Sequence, residues 1–81
     1  MPQAIDSNTD DRVIARSARE LLEETLRETV HDLVCESHSG VLVLQGRTKS
    51  FYHKQLAQEA VRTLAGVMRV INDIEVMRQP R

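Results

Sequence analysis

Apolar positions recur along this chain with two different periods, and the changes of period mark the elements. From Asp11 onward, Ile14, Ala18, Leu21, Leu22 and Leu26 recur at helical spacing. That spacing puts them on one stripe of an α-helix. Asp10 or Asp11 supplies the cap, because a carboxylate accepts the free amide hydrogens of a first turn. Glu23 and Arg27 stand one turn apart on the wet side and are placed to pair. Val30, Leu33 and Val34 fit the same count, so the period leaves the end of this helix open as far as residue 34.

The period then shortens. LVCESHSG, from Leu33 to Gly40, reads as a strand running into a turn at Ser39 and Gly40; glycine takes positive φ there without cost. The next stretch, GVLVLQG, sets four apolar residues in a row between two glycines. A strand with one wet face alternates. Here Val41 and Val43 point one way while Leu42 and Leu44 point the other, so something covers each face. VLVLQGRT returns antiparallel to the first strand, and Gly46 inside it marks a bulge or a close backbone approach. Ser50 caps a second helix, FYHKQLAQEAVRTLA, with Leu56, Ala57, Ala60, Val61 and Leu64 on one face and Gly66 as its C-cap glycine. In VMRVINDIEVM, Val70, Asn72, Ile74 and Val76 alternate with Ile71, Asp73 and Glu75, which describes a half-buried strand. Pro80 limits its extension.

The predicted fold is α+β in the order αββαβ, with two helices packed on one face of a three-stranded mixed sheet. The second helix crosses over from strand two to strand three, so these strands run parallel and the connection is right-handed. The strand order is first, second, third, with VLVL in the centre. Leu42 and Leu44 then face the helices, and Val41 and Val43 face away beside Val34 and Ile71. Residues 1–10 read as a disordered polar lead-in, 11–78 as one domain and 79–81 as a tail.

Composition adds three constraints. The chain has 81 residues with one Phe, one Tyr and no Trp, so its core is aliphatic. Cys35 is the one cysteine and has no partner for an intramolecular disulfide; without a neighbouring cation it reads as a small buried thiol. The net charge is −1 but unevenly spread, with an acidic first half and a basic second half. No apolar run spans a membrane. MPQAIDSNTDDR lacks the apolar segment and early basic cluster of an export signal, which makes the expected location cytoplasmic. A trimmed or otherwise exported chain would instead be periplasmic or envelope-associated.

GVLVLQGRTKSFYHKQLAQEAVRTLAGVMRVINDIEV resembles a BON domain, a family named from a bacterial osmotic-shock protein and from nodulation proteins. The resemblance rests on the turn glycine Gly40 and on Leu44 and Gly46 ending an alternating strand. It continues through Ser50 before a helix carrying Ala57 and Ala60, then Gly66, Val67, Val70, Asn72, Ile74 and Val76. It covers residues 18 to 77, and the order and spacing of these positions carry it. It implies a non-catalytic αββαβ module that binds phospholipid membranes or other proteins, often in the cell envelope.

Chemistry at individual side chains is sparse. His31, Cys35 and His38 would share a helix face, but along a strand they spread too widely to converge on a metal. No strained elbow frames a serine, Glu23 and Glu24 diverge, and no glycine loop cradles a phosphate. The residues therefore imply no enzyme, no cofactor and no small-molecule substrate. The αββαβ order is close to that of a KH-type RNA module, but the clamping GXXG loop is absent, so nucleic acid is not an expected partner. Two surfaces remain. The open sheet face, with Val34, Val41, Val43 and Ile71, suits a protein partner or a homodimer and is the preferred reading. The alternative is an anionic lipid surface met by Arg47, Lys49 and Lys54 around Phe51 and Tyr52, provided that Phe51 does not pack against the sheet.

Overall fold

The computed structural model describes residues 10–77. Helix α1 spans Asp11–Leu26 and leads through a single 3-10 turn, Arg27–Thr29, into β1, Val30–His38. Strand β2, Val41–Thr48, is followed by α2, Phe51–Val61, and by β3, Arg69–Val76. The sheet order is β1-β2-β3, with β1 antiparallel and β3 parallel to the central β2. Both helices lie on one face, as the residue pattern predicts. The expected lead-in lies outside the described residues except for Asp10, as does the tail.

Among the described residues the core is ten aliphatic side chains. Ile14, Ala18, Leu22 and Leu26 come from α1; Val30, Leu42, Leu44 and Ile74 come from the sheet; Ala57 and Val61 come from α2. Leu42 and Leu44 lose all contact with solvent. Burying two leucine side chains is worth about 3–6 kcal/mol at the usual 1.5–3 each, a large share of the stability of a domain this small. On α2, the small residues Ala57 and Ala60 let the backbone approach the sheet closely.

The helix–strand boundary falls at the early end of the open range. Arg27 has φ 51 and ψ −117 and closes α1 by donating its amide hydrogen to the Glu23 carbonyl. This turns the chain off the helix axis before Val30. Glu23 therefore does not pair with Arg27 as expected; it pairs with Arg19, at 3.1 Å. Strand β1 begins at Val30 rather than Leu33. Helix α2 also ends earlier than expected. Its last helical residue is Val61, capped at Arg62, and Gly66 lies in the following turns with φ 90.

A bulge explains how β1 keeps its apolar side inward. His31 faces Arg47 and Val34 faces Gln45, so β1 carries one residue more than β2 between the two pairs. Asp32 sits in this interval with φ 56. The extra residue lets Val30 and Leu33, three apart, both reach the core side. Across from it, a side-chain carbon on Gly46 would lie 3.1 Å from the His31 carbonyl oxygen and 3.1 Å from a Val30 methyl. The bulge needs a glycine there because two backbones meet.

Polar ties fix the remaining ends. Asp10 caps α1 by accepting from the Arg12 amide at 2.9 Å. Asp11 accepts from the Ser37 hydroxyl at 2.9 Å and the Ser39 amide at 3.1 Å, joining the start of α1 to the β1–β2 turn. That turn has φ 50 at Ser39 and φ 89 at Gly40, the two positive values of a type I′ hairpin. Ser50 caps α2 by accepting from the His53 amide. Asn72 on β3 donates to the Lys54 carbonyl at 2.8 Å, fastening α2 to the sheet.

Two substitutions test this account. Gly46→Ala forces the bulge apart and is expected to lower unfolding free energy by about 1–3 kcal/mol in urea titrations. Asp11→Ala leaves the Ser37 hydroxyl and the Ser39 amide without their acceptor, and is expected to cost about 1–2 kcal/mol in the same measurement.

Candidate interaction surfaces

Register places the outward side chains in rows across the sheet. His38, Val41 and Arg69 form the row nearest the hairpin, and Glu36, Val43 and Ile71 form the next. Val34, Gln45 and Asp73 follow, then His31, Arg47 and Glu75. The four apolar residues singled out in the sequence thus share one face. Val34 is 42% exposed, while Val41, Val43 and Ile71 are half-buried by their strand neighbours alone. No described element crosses this side of the sheet, so the second face of GVLVLQG is uncovered among the described residues.

The second surface lies at the opposite end of β2, where the chain leaves the sheet for α2. Phe51 is 61% and Tyr52 66% exposed on the first turn of α2. Phe51 does not pack against the sheet. Lys49 is exposed beside them and Lys54 is half-buried one turn on. Among the described residues neither lysine stands in an ion pair. Arg47 is different: it pairs with Asp32 across the β1–β2 bulge, which takes it out of the free basic cluster. Met77 joins this end through its amide, which donates to the Thr48 carbonyl at 2.7 Å, and its side chain is partly exposed. The alternation of β3 ends one residue before Met77, so periodicity carries no signal for its role. His53, which the sequence places in the same cluster, meets the Tyr52 ring edge-on at 5.5 Å between centroids.

Other clusters do not converge. His38 projects from the open face near Glu36, at 3.7 Å, and His31 from the same side opposite Arg47, while Cys35 turns toward the helices opposite Leu44. Among the described residues, no three His, Cys, Asp or Glu side chains are placed to hold a metal ion. A cavity of about 440 Å³ between the end of α1 and the start of β1 has charged walls that include Arg19, Glu23, Glu28 and Asp32. Arg19 pairs there with Glu23, and Asp32 with Arg47, and no serine or cysteine lines it. No described helix is long and apolar enough to cross a membrane.

Burial pushes the Cys35 thiol up to about 11; nearby Arg19 acts against that shift and Glu23 with it. The folded chain therefore holds this proton more tightly than the unfolded chain. Stability from this source is fully present below about pH 9 and is lost as pH rises toward about 11. Cys35 is expected to react with iodoacetamide at pH 8 much more slowly in the folded protein than in urea. Equal rates, read by mass spectrometry, would contradict its placement against α1.

A family model for the BON domain matches residues 10–78. No curated protein matches the chain. The matched segment takes in every helix and strand described above, and the chain belongs to the BON domain family. This is a family of non-catalytic binding modules that engage phospholipids or proteins.

Proposed function

We propose that this BON-domain chain binds anionic lipid surfaces peripherally, through the end where β2 passes into α2. One observation carries the reading: Phe51 and Tyr52 stand side by side in solvent, each more than half exposed, in a chain with no other aromatic residue. Exposing the two largest apolar side chains while the core is built from aliphatic ones is unfavourable in water. At a headgroup layer the same arrangement is favourable, because aromatic rings settle at the boundary between polar and apolar regions. Lys49 and Lys54 flank the rings, and each basic residue near an anionic surface contributes about 1 kcal/mol. Met77 extends the apolar tip. The residue pattern favours the sheet face for its apolar patch; the exposure of both rings reverses that order.

Two lysines and two rings give weak attachment that salt loosens. The test is co-sedimentation with vesicles of phosphatidylglycerol and phosphatidylcholine, against phosphatidylcholine alone, at low and high salt. The wild-type chain is expected to pellet with the anionic vesicles at low salt and to be released by high salt. Phe51→Ala with Tyr52→Ala is expected to abolish pelleting, and Lys49→Glu with Lys54→Glu to reduce it about tenfold or more. Wild-type protein remaining in the supernatant at low salt with anionic vesicles would sink the proposal.

A second reading, protein binding through the open sheet face, is favoured by a separate observation. Val34 is exposed beside three half-buried aliphatic residues, with no described element above them.

A further inference from the structure

The open sheet face carries more information than its apolarity. On β3 the outward residues run Arg69, Ile71, Asp73, so a cation and an anion stand symmetrically about an isoleucine. Neither Arg69 nor Asp73 is in an ion pair among the described residues. Beside Ile71, on the central strand, is Val43, and Val41 and Gln45 continue the row pattern on either side.

We propose that this face binds a second copy of the chain, face to face with strands antiparallel, so that Arg69 of each copy meets Asp73 of the other. The argument is one of charge complementarity under symmetry. Two identical faces stacked on a two-fold axis must be self-complementary. An axis along the strands lays β1 over β3 and sets His38 above Arg69 and Val34 above Asp73. In that register the opposed charges are His31 over Glu75 in the last row, where Arg47 also stacks on its own copy, and Asp73 is covered by a valine. An axis across the strands at the level of Val43 keeps each strand over its own copy and reverses the rows. Ile71 then meets Ile71, Val43 meets Val43, and Arg69 lies over Asp73 twice. Stacked sheets sit about 10 Å apart, a gap that an arginine and an aspartate reach across together. The same register brings Glu36 toward its own copy, the one repulsive pair it creates.

The face is small. Three strands by three outward rows cover a patch about 15 Å on a side, well short of the roughly 800 Å² per partner of a standard interface. The dimer is therefore weak. It uses none of the residues of the lipid-facing end and stands independently of that function.

Sedimentation equilibrium of the full chain, from about 20 μM to about 1 mM at low salt, reads the association directly. Wild type is expected to form dimers with rising concentration. Arg69→Asp and Asp73→Arg each set like charges together and are expected to weaken the dimer about tenfold or more. The double swap, Arg69→Asp with Asp73→Arg, restores both pairs and should return Kd to within about threefold of wild type. Val43→Glu is expected to leave a folded monomer, and Glu36→Gln to tighten the dimer. Circular dichroism melts of each variant confirm that it is folded. Wild type that stays monomeric at the highest concentration overturns the proposal. If Val43→Glu abolishes association while the charge reversals leave it intact, the antiparallel register is wrong. Failure of the double swap to recover binding overturns the register as well.

Discussion

The central strand has to hide two leucines in a chain that has almost no aromatic residues to hide them with. Leu42 and Leu44 sit where both helices meet the sheet, and each element is arranged around covering them. Helix α1 delivers a stripe of four aliphatic residues over the β1 side. Helix α2 delivers Ala57 and Val61 over the β3 side. Without a phenylalanine or tryptophan to fill gaps, aliphatic cores depend on close backbone approach. That is why small residues recur on α2, and why the bulge at Asp32 presses its backbone against Gly46. The bulge is a consequence of the same demand: β1 reaches the core at both Val30 and Leu33 only by taking in one extra residue.

Covering one face fully leaves no described element for the other, since two helices are enough for only one side of three strands. The bare side and the aromatic end belong to different parts of β2. The first spreads across its outward residues, and the second begins where it stops. The Asp11 ties hold the start of α1 to the hairpin at the far end, away from Phe51 and Tyr52. In an antiparallel pair of copies the two aromatic ends lie at opposite poles, so such a pair spans two surfaces instead of gripping one twice.

Much of this arrangement is legible in the residues. The alternation of Val70, Asn72, Ile74 and Val76, and the opposed faces of VLVL, give the inward set of each strand because a period of two admits only one, and the hairpin and the helical crossover set the pairing directions. The end of α1 is not legible. Val30, Leu33 and Val34 satisfy a helical count and also serve a bulged strand, and the backbone at Arg27 decides between them. Gly66 misleads for a related reason: a glycine with positive φ ends helices, yet here it closes a turn five residues beyond α2. The aromatic end is legible only in part. A ring on the first turn of a helix can fold back or project, and periodicity carries no signal for which. The withdrawal of Arg47 into a pair with Asp32 depends on the bulge, which shows in the sequence only as an isolated Gly46.

The scarcity of aromatic residues has an optical consequence. Tyr52 is the one tyrosine of a chain without tryptophan, so ultraviolet emission from this protein originates at a single surface position. The interior is dark. A change in tyrosine intensity or anisotropy therefore reports on what touches the start of α2, with little contribution from packing changes in the core. The native chain is thus a labelled sensor of its own aromatic end, with no dye attached.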